Sequence, residues 1–162
     1  MKNIFFLVGA TLLLSCEQPQ DNTSQLKEEI RTLKTKLDNA YKPGFGEFMG
    51  NIQVHHSKLW FAGINENWKL AEFEIHEIEE ALVDIQKFNS DRSESQSIGM
   101  INPAMDSVSS AIMQRNLSLF KGSFNALTNT CNSCHKATAH EFNVITIPTT
   151  PPFSNQNFMP VK

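Results

Sequence analysis

The sequence predicts an all-α protein: four amphipathic helices in a bundle, a helical stalk before them and an extended Pro-rich tail after them. Three observations carry this. Apolar residues recur at spacings of three and four in four successive segments between Phe45 and Cys134, the period of a helix face. Pro, Gly and Asn stand between those segments, where helices start and stop. Strand-like alternation is confined to residues 142–147. With 162 residues, the chain holds one domain plus extensions.

Residues 1–15 read as a leader. Met1, Lys2 and Asn3 form a short basic start, and residues 4–14 an apolar run of about eleven residues. That is the length of a signal-peptide core and too short to span a bilayer. The run ends in Leu13, Leu14, Ser15 and Cys16, which resembles a bacterial lipobox with cleavage before Cys16. The resemblance implies a diacylglyceryl group on Cys16 and an acylated amine, and two or more acyl chains anchor stably. The alternative is an ordinary secretory leader with a chance cysteine. Either one takes the protein out of the cytoplasm. The expected place is the periplasmic side of a bacterial membrane.

Residues 16–23 form a polar tether. Residues 24–40 form the stalk, with Ser24 as its expected cap. Leu26, Ile30, Leu33 and Leu37 make a narrow coiled-coil seam among Lys and Glu. It runs for under two heptads, so it suits a stalk, with dimer or trimer formation as the other reading. Pro43 and Gly44 break this helix.

Residues 43–140 hold the bundle. Phe45, Met49, Ile52, His56, Leu59 and Gly63 mark its first seam. Asn65 or Asn67 caps the second helix, whose seam is Trp68, Ala71, Ile75, Ile78, Leu82 and Ile85. Glu72, Glu74, Glu77, Glu79, Glu80 and His76 are expected on its solvated faces. Residues 89–97, rich in Ser and Asp, read as a mobile loop. Pro103 suits the first turn of a third helix, with Met105, Val108 and Ile112 facing in. Arg115 and Asn116 make a tight turn, with Asn116 as the next cap. The fourth seam runs Leu117, Phe120, Phe124, Leu127, Cys131, Cys134. Residues 141–162 form the tail, where Pro148, Pro151 and Pro152 forbid a helix.

Cys131, Asn132, Ser133, Cys134 and His135 spell C-x-x-C-H, the attachment signature of one covalent haem c. Positions i, i+3 and i+4 share a helix face, so both thiols and the imidazole can meet one planar ring. The thiols would form thioethers and His135 the proximal iron bond. A redox dithiol expects a βαβ surrounding, and a structural zinc needs a fourth ligand beside these three. The sequence offers neither.

The formal net charge of -3 becomes -4 when Lys2 leaves with the leader, and haem propionates would add to it. Such a chain has no electrostatic case for nucleic acid. A redox partner protein with a basic patch would suit it. No nucleophile–base pair, phosphate loop or paired catalytic carboxylates stand out, so no enzyme is expected. The 12 Phe against 1 Tyr make plain core, or walls that keep water from a haem.

Four seam-bearing helices with C-x-x-C-H late in the last one resemble cytochrome c′, the class II c-type cytochromes. The resemblance covers residues 43–140 and rests on architecture and motif position. It implies an antiparallel four-helix bundle, haem near one end, and often a homodimer. The family commonly has a basic residue one turn after the haem His, and Ala139 stands there, with Lys136 and His140 nearby. On the distal side the family has an apolar residue of the first helix, and low-spin relatives a Met. Here the candidates are Met49 and His56 on the seam, and His55 just off it. A sixth ligand suits electron transfer, the leading expectation. An open iron suits capture of nitric oxide or carbon monoxide. A third reading is an oligomeric stalked lipoprotein whose haem is structural.

Overall fold

The computed structural model describes residues 22–161, so the leader, Cys16 and most of the tether lie outside the described residues. All regular structure in that range is helical. The described residues up to Tyr41 and those from Lys42 onward form two compact units. No described helix is long and apolar enough to cross a membrane.

In the first unit, α1 (Thr23–Asp38) carries Leu26, Ile30, Leu33 and Leu37 fully on its exposed surface. Its N-cap position is Asn22, whose side chain makes no capping bond, and Ser24 falls inside the helix rather than at its start.

In the second unit, α2 (Phe45–Ile64) packs chiefly on α3 (Trp68–Phe88), and α4 (Asn102–Met113) chiefly on α5 (Leu117–Ala137). Most residues of the expected seams are buried, while Phe45, Met49, Trp68, Leu117, Cys131 and Cys134 at their ends are partly buried. Leu59, Ala71, Ile78, Ile85, Val108, Phe120, Phe124 and Leu127 are sealed from solvent or nearly so. Rings line the α2–α5 contact: His56 and Trp60 lie 4.5 and 4.9 Å from the Phe124 ring. Gly63 lets α2 come close to Phe120, since a Cβ there would lie 2.1 Å from that ring.

Three helices end the same way. At the ends of α2, α4 and α5, Glu66, Arg115 and Ala139 adopt positive φ of 57°, 49° and 59°. The next residue in each case bonds back across the turn: Asn67 N to Ala62 O, Asn116 N to Ala111 O, His140 N to His135 O. This is the Schellman stop, normally built on Gly. Asn67 and Asn116 then cap the following helices, accepting from Leu70 N at 3.3 Å and Leu119 N at 3.1 Å. One asparagine thus ends one helix and starts the next, which keeps both turns short. The stop at Ala139 also ends α5 directly after the C-x-x-C-H residues. A basic residue one helical turn after His135 therefore has no helix to sit on.

Three expectations are corrected. Residues 89–97 are not a featureless loop: they hold a 3-10 turn at Glu94–Gln96, and another follows directly at Ile98–Ile101. Ser95 is buried and donates to Asn89 O at 2.6 Å, while Asn89 reaches Pro43 O, so side chains satisfy the backbone the composition left open. Residues 142–147 form no strand, because no neighbouring strand offers a ladder, and a helix side chain takes that place. Glu74 is not on a solvated face but fully buried. It stands between Ala71 and Ile78 on the wide inner stripe of α3, a position the alternation of Glu and Ile disguised.

The tail is part of the second unit. Ile147 packs on the core, Phe158 is buried 5.7 Å from the Phe61 ring, and Asn67 Nδ2 donates to Met159 O.

Candidate functional site

The C-terminal turns of α5 and the N-terminal turns of α2 meet at a cavity of about 420 Å3. Cys131, Cys134 and His135 line one side, and Met49, Ile52 and His56 line another. The fourth seam therefore does deliver all three motif residues to one space. Gly46 and Gly50 also face it, and a Cβ on either would meet nothing within 4 Å. These two glycines keep the α2 wall flat and open. Ile98, Ile101 and Leu82 complete an apolar lining suited to a flat apolar ring.

His135 is half-buried and oriented. Its Nδ1–H donates to the backbone carbonyl of Asn143 at 2.6 Å. That bond fixes the tautomer and leaves Nε2 with its lone pair free. Asn132, between the two cysteines, holds the same stretch of tail. Its Nδ2 donates to Ile145 O and its Oδ1 accepts from Ile145 N, both at 2.8 Å.

Both cysteines are free thiols, and burial pushes Cys131 up to about 11, helped by neighbouring Cys134. Burial also raises Cys134. A thioredoxin-type dithiol needs the opposite, a lowered thiol that is thiolate at neutral pH. These thiols stay protonated at neutral pH. Among the described residues no three His, Cys, Asp or Glu side chains converge as a metal cage. Cys131, Cys134 and His135 are the wall residues able to hold a cofactor by thioether and axial bonds.

The distal candidates separate. Met49 and His56 line the cavity. His56 Nε2 lies 2.9 Å from Thr128 Oγ1, and Thr128 gives its own proton to Phe124 O at 3.0 Å. The hydroxyl has one proton, so it accepts from His56 Nε2–H, and only Nδ1 keeps a lone pair. Burial lowers His56 to about 4, so it is neutral at pH 7. His55 lies outside the cavity lining. Its Nδ1 donates to the buried Glu74 Oε2 at 2.6 Å, with Lys58 Nζ 3.8 Å from Oε1 and Glu77 3.8 Å from Nε2. Glu74 Oε1 has no hydrogen-bond partner. Trp60 and Phe61 face Phe120, Phe124 and Phe158 and do not wall the cavity. His76 is exposed beside Glu79 and Glu80.

Several contributors were missed in the sequence. Arg92 and Glu94, from the ordered loop, stand at the cavity rim as an ion pair, with Arg92 over the Phe45 ring at 5.2 Å. Arg92 holds the Glu94 carboxyl down to about 2. Thr128, Asn132 and Asn143 also act here, and their partners lie 72, 13 and 8 residues away. The one local signal was the small-residue spacing Gly46, Gly50 beside Met49. No family model matches this chain, no curated protein matches its sequence, and no solved structure matches it.

Proposed function

We propose that this protein is a membrane-anchored monohaem c-type cytochrome that carries electrons outside the cytoplasmic membrane. The observation that carries the reading is the convergence of Cys131, Cys134 and His135 on one apolar cavity, with the His135 Nδ1–H already given to a carbonyl. The residues fit the group. The two thiols are free, Nε2 is the nitrogen left for iron, and the α2 wall has open space at Gly46 and Gly50.

Haem c, when bound there, supplies a one-electron iron couple. The chain does the rest. Cys131 and Cys134 would hold the group by thioethers, and His135 would ligate its iron. Ile52, Leu82, Ile98 and Ile101 keep water away, which influences the potential. Arg92 lines the cavity, where carboxylates of a bound cofactor would compete with Glu94 for its guanidinium. Met49 is the thioether on the distal wall able to complete a low-spin site.

The four helices α2 to α5 are read as an antiparallel four-helix bundle like that of cytochrome c′. The cavity joins the start of α2 to the end of α5, while Gly63 near the end of α2 meets Phe120 near the start of α5. Cys16 would carry the lipid, on the periplasmic side of a bacterial membrane, with α1 as a stalk and a homodimer as a further assembly. The acidic chain would meet a basic redox partner rather than nucleic acid.

A second reading, capture of nitric oxide or carbon monoxide by a five-coordinate iron, is favoured by one observation. His56 Nε2 is engaged by Thr128, which removes the usual ligating nitrogen from the distal wall. Optical spectra of the purified full-length protein decide between them. A low-spin ferrous spectrum unchanged by carbon monoxide supports the carrier. A high-spin form that takes up carbon monoxide sinks it.

A further inference from the structure

Asn132 occupies a position the haem motif leaves free, yet it is the most specifically bonded residue of the five. Its carboxamide pairs with both backbone groups of a single tail residue, as a strand partner would: Nδ2 to Ile145 O and Oδ1 to Ile145 N, each 2.8 Å. Ser133, the other free position, bonds only its own helix at Asn129 O. The pairing fixes the register of the tail against α5 with no slack, because a one-residue slip would lose both bonds.

That register matters three residues along the helix. Asn132 and His135 are i and i+3 on α5, so they present to the same neighbour. Asn143, two residues before Ile145, is what His135 meets. Between these points the chain turns tightly, with His140 N on His135 O and Asn143 N on His140 O. Farther on, Phe158 and Met159 tie the tail to α2 and to the residue capping α3. The carbonyl that receives the His135 proton is therefore held on one side by a turn and on the other by Asn132.

We propose that Asn132 is a positioning residue for the iron ligand: by clamping the tail at Ile145 it holds the Asn143 carbonyl on the His135 Nδ1–H and so sets the donor strength of that imidazole. This rests on the haem reading above for its consequence, though not for its geometry. A hydrogen bond from Nδ1–H raises ligand basicity and favours the oxidised metal. Loosening the acceptor raises the reduction potential.

The test compares the full-length wild type, Asn132→Ala, Asn132→Asp and Ser133→Ala, each produced with a haem-attachment system. Asn132→Asp keeps the acceptor for Ile145 N–H, loses the donor, and guards against a misfolded alanine variant. The readouts are Ile145 amide exchange and reduction potential. Asn132→Ala is expected to speed Ile145 exchange by about tenfold or more and to raise the potential. Asn132→Asp should lie between it and wild type, and Ser133→Ala at wild type on both. Unchanged Ile145 exchange in Asn132→Ala, or faster exchange with an unmoved potential, overturns the proposal. Should the wild type take up no haem, the cytochrome reading falls by itself. The clamp is then judged on the His135 ring nitrogens by NMR. Loss of the Nδ1–H tautomer in Asn132→Ala supports the clamp, and an unchanged tautomer overturns it.

Discussion

Protonating His56 is expected to cost this fold about 3 kcal/mol. The group is 4% exposed and sits against the Phe124 ring, with Thr128 as its hydrogen-bond partner. Burial takes it from an ordinary 6.5 to about 4. Between those values the unfolded chain binds a proton that the folded chain refuses, so stability rises with pH across that window. Above pH 6.5 the contribution is fully present. It is lost as pH falls toward 4, and a gap of about 2.5 pH units at 1.36 kcal/mol each gives about 3 kcal/mol. The perturbation is His56→Gln, which stays neutral throughout and keeps an amide to offer Thr128. Urea unfolding at pH 7, 6, 5 and 4 measures both proteins. The wild type should lose about 3 kcal/mol more than the variant between pH 6.5 and 4. Groups common to both proteins cancel in the comparison. Parallel pH profiles would refute the buried, neutral His56 described here.

Further outcomes follow from packing and turn geometry. Gly63→Ala puts a methyl group against the Phe120 ring and should destabilise by about 1–3 kcal/mol in denaturant unfolding. A neutral result would mean that α2 and α5 are not in close contact there. Glu74→Ala leaves His55 and Lys58 without their buried carboxylate and should cost about 3 kcal/mol or more. Glu74→Gln, which still accepts from His55, should cost less, and equal losses would discount the hydrogen bond. Ala139→Gly relieves a positive φ of 59° and should raise stability by about 0.5–1 kcal/mol, with a higher melting temperature. A lower melting temperature would count against the left-handed stop after α5.

Much of this architecture was legible because its signals are local. Helix seams, the Pro103 start and the caps at Asn116 and at Asn67, one of two candidates with Asn65, depend on residues within a turn or two, and all are seen. Cys131 and Cys134 continue the α5 seam, so the cavity-lining face of the motif could be read from spacing alone. What escaped depends on partners far along the chain. Glu74 reads as one more surface glutamate until His55, 19 residues earlier, is seen beneath it. Residues 89–97 look mobile by composition, and it is Asn89 reaching Pro43, 46 residues away, that helps hold them. The sequence left Met49, His56 and His55 as distal candidates; the cavity lining drops His55, and the Thr128 hydroxyl that occupies His56 Nε2 gives no sign in the sequence. The tail was read as extended, and its grip on the motif through Asn132 came from side-chain geometry no periodicity reports.

The central claim is that Cys131 and Cys134 hold a haem covalently beside His135. The most direct measurement is the intact mass and visible spectrum of the denatured full-length protein after production with a haem-attachment system. The account predicts one haem that survives denaturation and acid–acetone extraction, and whose covalent attachment is lost when both cysteines are changed to serine. A chain that emerges colourless, with no haem mass added to it, would contradict it.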